Sequence, residues 1–252
     1  MRRAFFVSTV VLFSMVVPGV GAQVHILEVD GDVRHHAGRR WAVARAGEIV
    51  PLESRIRVAE GSGVVITDDD VVLRLDRAET FIVADVLAVG RILASPMIRT
   101  LVVDRAAELA AAIGREASRE EYAVVADAVS RLDVRNPSPF ADDFIDLVVS
   151  VAVEEGVRRH LEGAVVLFRA LALLSRAAYV EALDTLHPLL DDDNLPVSDR
   201  QRAYVLSGIA FRGIGHVGTA GEYLRFSADL DPSTGEGRVA RELVESFFSA
   251  AF

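Results

Sequence analysis

Apolar and polar positions change their rhythm twice along this chain. Residues 4–17 form an almost unbroken apolar run behind Arg2 and Arg3, closed by Pro18, Gly19 and Gly21. Short stretches rich in β-branched residues follow at 24–29, 41–44, 55–58, 64–67, 71–75 and 80–83. Asp30-Gly31, Gly38, Gly47, Gly61-Ser62-Gly63 and Asp68-Asp69-Asp70 punctuate them, and Gly and Asp tolerate tight reversals. Strands this short between turns this frequent predict a compact antiparallel roll or sandwich. Val71, Leu73 and Leu75 share one side of their stretch while Arg74 and Asp76 face out, the pattern of a half-buried sheet. Pro96 marks the expected end of the β region. From Asp104 the apolar period lengthens to about 3.6 residues, as at Ala106, Leu109, Ala110 and Ile113, so helices are expected onward, with a break at Asn136-Pro137-Ser138-Pro139 and a buried helix from Phe144. The predicted fold class is α+β in two segregated parts, a β domain over 23–95 and an α-helical domain over 96–252.

The first run has the order of a secretory signal peptide: basic start, apolar middle, helix breakers, then Val20-Gly21-Ala22 as a cleavage site. Cleavage after Ala22 leaves Gln23 first, and losing two arginines takes the formal charge from -10 to -12. The expected location is the periplasm. The alternative is an uncleaved anchor carrying a sensory or regulatory ectodomain. No second stretch is apolar enough to span a bilayer, since acidic and basic residues interrupt 64–89. The excess of acid argues against nucleic acid and anionic lipid as general partners, both of which are held by clustered Lys and Arg. With no cysteine, the chain has no disulfides, thiolate metal sites or thiol nucleophiles.

The last third repeats. With Pro232 closing a 34-residue unit, Tyr204, Gly208, Phe211, Ala220, Leu224 and Ser227 occupy aromatic, small, aromatic, small, large and small positions, a pattern that resembles the tetratricopeptide repeat. Gly208 and Ala220 would let two antiparallel helices approach, with Phe211 and Leu224 beside the contact. An upstream unit carries Val166, Ala170, Leu173, Tyr179, Ala182, Leu186 and Leu189, offset by 38 residues, the excess falling in the loop 191–196. The two units are placed at about 163–196 and 201–234. The resemblance implies a curved helical array whose concave side, with Arg212 on it, binds a peptide or protein. Phe247, Phe248 and Phe252 are expected on a capping helix from about Gly237.

The β stretches, in serial order, resemble the FecR domain: Val29-Asp30-Gly31-Asp32-Val33, Trp41, Gly47-Glu48, Arg55-Ile56-Arg57-Val58, Gly61-Ser62-Gly63 and Val71-Val72-Leu73-Arg74-Leu75. Ala59 stands where the family usually has threonine, and Asp69-Asp70 lacks the hairpin glycine. The resemblance covers about 26–85 and implies an extracytoplasmic interaction domain. The cytoplasmic region that sigma-factor regulators place ahead of it has no counterpart in 1–6.

Candidate chemistry fails for want of partners. His35-His36 is expected in a turn, without further metal ligands nearby. Asp191-Asp192-Asp193-Asn194 has Pro196 and Arg202 where a calcium loop needs Gly and Glu, and is read as a solvated loop capping the next helix. Asp68-Asp69-Asp70 is a hairpin tip. His160, His187 and His216 have no nucleophile in a catalytic context. Gly213-Ile214-Gly215-His216-Val217-Gly218 resembles a dinucleotide fingerprint but is explained as an inter-helix turn. No residue is assigned a catalytic, cofactor-binding or metal-ligating role. The expected function is a non-catalytic adaptor or scaffold in the cell envelope, binding a protein, a peptide or a glycan.

Overall fold

The computed structural model describes residues 23–38, 40–68, 70–98, 101, 111 and 155–248. The predicted signal peptide, the segments 104–110, 112–132, 136–139 and 144–153, and Phe252 lie outside them. As expected, an antiparallel β region is followed by helices.

Eight strands form: β1 (Gln23–Asp30), β2 (Val33–Ala37), β3 (Arg40–Val43), β4 (Ile49–Pro51), β5 (Arg55–Val58), β6 (Gly63–Thr67), β7 (Val72–Leu75) and β8 (Thr80–Ile82). They make two four-stranded sheets, ordered β4-β1-β6-β7 and β3-β2-β5-β8, with every pairing antiparallel. Alternation decides the inward side. Val24, Ile26, Val64, Ile66 and Leu75 from the first sheet and Val33, Ile56, Val58 and Phe81 from the second are buried in one core. A bulge between Ile26 and Glu28 turns Leu27 outward and locally shifts the β1–β6 register. The turns at the ends of β1 and β5 are joined, because the Asp32 amide donates to Ser62 Oγ at 2.9 Å.

The strands end at Ile82, and α1 (Val83–Ala94) follows at once, where the sequence pattern leads one to expect a strand to 83 and no helix until 104. This helix is buried on nearly every side, through Val83, Val86, Leu87, Val89, Ile92 and Leu93, and passes so close to β7 that a Cβ on Gly90 would lie 3.0 Å from Leu73 and 2.7 Å from Val71 just before the strand. Pro96 does not end the sheet. It opens a further helical turn whose Ile98 amide donates to Ser95 Oγ at 3.4 Å.

Five more helices are described: α2 (Glu155–Ser175), α3 (Tyr179–Leu190), α4 (Val197–Gly213), α5 (Val217–Leu230) and α6 (Gly235–Leu243), the last continuing into a π turn over Val244–Phe248. α6 starts two residues earlier than Gly237, with Thr234 Oγ1 accepting from the Gly237 amide at 3.0 Å. α4 lies centrally, against α1, α2, α3, α5 and α6. Apolar side chains from Val24 to Leu243 belong to one contiguous core, so strands and helices share an interior. Among the described residues no helix is long and apolar enough to cross a membrane.

Candidate functional site

Among the described residues the helical half contains two copies of one hairpin. α2 and α3 are joined by Arg176-Ala177-Ala178, and α4 and α5 by Ile214-Gly215-His216, 38 positions later. The turns agree in detail. Ala177 and Gly215 both have positive φ, at 55° and 82°. Ala178 and His216 have φ near -85° with ψ of 61° and 64°. The Ala178 amide donates to Leu173 O and the His216 amide to Phe211 O, each at 2.9 Å. The buried pairs follow the same offset: Ala170 with Gly208, Ala182 with Ala220, Leu186 with Leu224.

Close packing explains the small residues. A Cβ on Gly208 would sit 3.0 Å from Leu224 and 3.1 Å from the Ala220 carbonyl, so α4 and α5 touch backbone to side chain at this point. Leu224 and Ala220 are fully buried, and Phe211 is half-buried. The loop containing Pro232 joins α5 to α6 through a buried polar network. Gln201 Nε2 donates to Ser227 O at 2.8 Å and Asp231 O at 2.9 Å, while Thr234 Oγ1 donates to Gln201 Oε1 at 2.8 Å. Ser227 Oγ donates to Gln201 O at 3.0 Å. The buried Arg202 pairs with Asp199 at 3.0 Å and with Glu236 of α6.

One side of the second hairpin carries rings in a row. Phe211 lies 4.8 Å from Tyr223, Tyr223 5.8 Å from Tyr204, and Tyr204 6.1 Å from Phe226, with His216 stacked on Phe211 at 6.3 Å. Phe226 ends the row 61 % exposed. Tyr204 and Phe211 are the aromatic positions of the repeat pattern; Tyr223 and Phe226 are not in that pattern, and their spacing of three on α5 is the signal that would have found them.

Ion pairs tie α4 to α1 and α3 to the β region. Arg212 pairs with Asp85 of α1, and Arg77, just before β8, pairs with Glu181 of α3. Arg212 is therefore at a junction inside the molecule, not on an open concave face. Tyr179 is buried beneath Gly213, where a Cβ would lie 2.6 Å from its ring. Burial, then the carboxylates of Asp85 and Glu79, push the Tyr179 phenol well above its usual range, against the opposing pull of Arg212.

His35 and His36 lie in strand β2, not in a turn, and face opposite sides of the sheet. His35 is 4 % exposed with Nε2 at 2.9 Å from Glu48 Oε1, while His36 stands edge-on to Trp41 at 5.3 Å. Asp68 is not merely a solvated tip: its side chain is 2 % exposed, pairs with Arg91 of α1 and accepts from the Val71 amide at 3.1 Å. The loop at 191–194 is held by Asp192, which accepts from the Asn194 amide at 2.9 Å, but it does not cap α4, whose N-cap is Pro196 with no capping side chain. His187 is exposed on α3, and His216 precedes α5 in the inter-helix turn. Among the described residues no group of three or more His, Asp or Glu side chains is placed to hold a metal ion.

Comparison with protein-family models, with curated proteins and with solved structures finds no match to this chain.

Proposed function

We propose that this chain is an exported, non-catalytic adaptor of the cell envelope, in which a FecR-like β module and tetratricopeptide-like hairpins each hold a partner. The observation that carries the reading is the helical hairpin repeated at an offset of 38, with the same turn geometry and the same small buried positions. Hairpins of this type stack side by side and leave a broad surface, a construction suited to binding extended partners. The row from Phe211 to Phe226 is the surface that fits this role. Rings supply large contact area at low entropic cost, and an exposed Phe at the end of a supported row is a typical anchor for a protein partner.

Photo-crosslinking in cells from position 226 tests the proposal. Repeated capture of one envelope protein, lost when Tyr204 is replaced by Glu, supports it. Crosslinks only between copies of the chain would replace it with a self-assembling role. Sequencing the N-terminus of the recovered protein tests export by cleavage: Gln23 as first residue is expected, and retention of 1–22 would instead favour an anchored ectodomain.

A further inference from the structure

The outer face of the sheet β3-β2-β5-β8 is basic in an acidic protein. Register places Arg34, Arg57 and Val43 side by side in one row, and His36 and Trp41 in the next, with Arg55 one alternation from Arg57. The positions contributed by β8 are uncharged. None of the paired positions on this face is a carboxylate, although the chain carries a formal charge of -10. Asp32 approaches from the preceding turn and lies 3.1 Å from Arg34 Nε, but both partners are at least half exposed, and such pairs contribute little. Arg57 Nε reaches Thr80 Oγ1 at 3.5 Å.

Among the described residues the edge of the same sheet is unpaired. β3 is an outermost strand, and no described strand pairs with its far side. The Ala44 amide donates to Val33 O at 2.9 Å, which makes Val33 and Ala44 a hydrogen-bonded pair. Antiparallel ladders alternate, so Arg34 with Val43 and His36 with Trp41 are the non-bonded pairs. The amides and carbonyls of Trp41 and Val43 therefore point away from β2 to the open edge, while their side chains lie on the basic face. Val43 is 60 % exposed. Arg57 belongs to a strand two removed from the edge, yet its guanidinium lies 4.4 Å above the centre of the Trp41 ring. The Trp41 ring and the Arg57 guanidinium therefore meet on this face, and the cation is joined to the edge strand through the ring.

We infer that the β3 edge takes up an extended acidic segment of a partner protein, which pairs with Trp41 and Val43 through its backbone and places every second side chain, Asp or Glu, against Arg57 and Arg34. Backbone pairing supplies the affinity and the alternate carboxylates select the partner. The inference rests on the adaptor reading in taking the ligand to be a polypeptide.

The test uses the full chain and a fluorescein-labelled decapeptide of alternating Glu and Thr, with alternating Lys and Thr as control. The Glu peptide should bind at low salt, weaken as salt rises, and lose at least tenfold in affinity in Arg57→Glu. Val43→Pro, which deletes an edge-facing amide and spares the ladder to β2, should cause a similar loss. Should that variant misfold, a Glu-Thr peptide methylated at alternate backbone amides replaces it, and it should not bind. Equal binding of the methylated and unmethylated peptides, or displacement by a heparin fragment that is indifferent to Val43→Pro, would overturn strand addition in favour of a polyanion face. Absence of binding to the Glu peptide, with a partner still captured from position 226, would overturn this inference alone; crosslinks solely between copies would overturn the adaptor reading.

Discussion

At the scale of single residues, the two hairpin turns make an internal comparison. Ala177 adopts the left-handed backbone region that Gly215 occupies in the second copy. An L-residue with a Cβ pays about 1–2 kcal/mol there. Ala177→Gly should therefore raise stability by about 0.5–1 kcal/mol in urea unfolding, and Gly215→Ala should lower it by more, since a Cβ at 215 would also lie 3.1 Å from Asp85 Oδ2. Tyr179 makes a pH prediction. Its pKa is raised in the fold, so its contribution to stability is fully present below the unfolded value of 10.0 and is lost as pH rises above it. In a tyrosinate absorbance titration, one of the four tyrosines should ionise only together with unfolding, and Tyr179→Phe should remove that component. Sequence pattern found Gly208, Ala220 and Leu224 because close helix contact leaves a size signature at fixed spacing. It missed the roles of Tyr179 and Arg212, because a buried ring and an ion pair reaching back to Asp85 depend on contacts distant in sequence.

At the scale of elements, the α4–α5–α6 corner depends on Gln201. Gln201→Ala removes the donor to the Ser227 and Asp231 carbonyls and the acceptor of the Thr234 hydroxyl, leaving Thr234 Oγ1 with Asp231 O at 2.9 Å and the Ser227 carbonyl without this bond. The expected cost is about 2–3 kcal/mol, read as a lower urea midpoint with unchanged m. Six of the eight strands were legible in outline, because turn residues and alternation announce them. β4 was not, being only three residues ending in Pro51, and β2 was hidden because His35 is polar yet faces the core beside Glu48. α1 was hidden for another reason. It is apolar on almost every side, rich in valine, and lacks a capping side chain at Ile82, so neither a one-sided 3.6-residue stripe nor a start signal distinguishes it from strand. The basic face of β3-β2-β5-β8 was equally illegible, since arginines scattered in sequence become neighbours only through strand register.

At the scale of the whole molecule, strands and helices share one core, with Arg212 and Asp85 fastening α4 to α1 and Arg77 and Glu181 fastening α3 to the β region. The segregation of strands from helices in sequence therefore does not make two loosely tethered bodies. Arg212→Ala should destabilise the chain by about 2–3 kcal/mol, less than a fully buried pair because the side chain keeps 16 % exposure, and tryptophan fluorescence from Trp41 in the β region should report the same urea midpoint as helical circular dichroism. The shared core joins the β3 edge and the ring row ending at Phe226 in one body, as the proposed adaptor would need. The most direct measurement carries photo-crosslinkers at positions 43 and 226 of one chain in cells. The account predicts recovery of single chains joined to two different proteins at once. Capture of the same protein from both positions, or only of further copies of this chain, would contradict it.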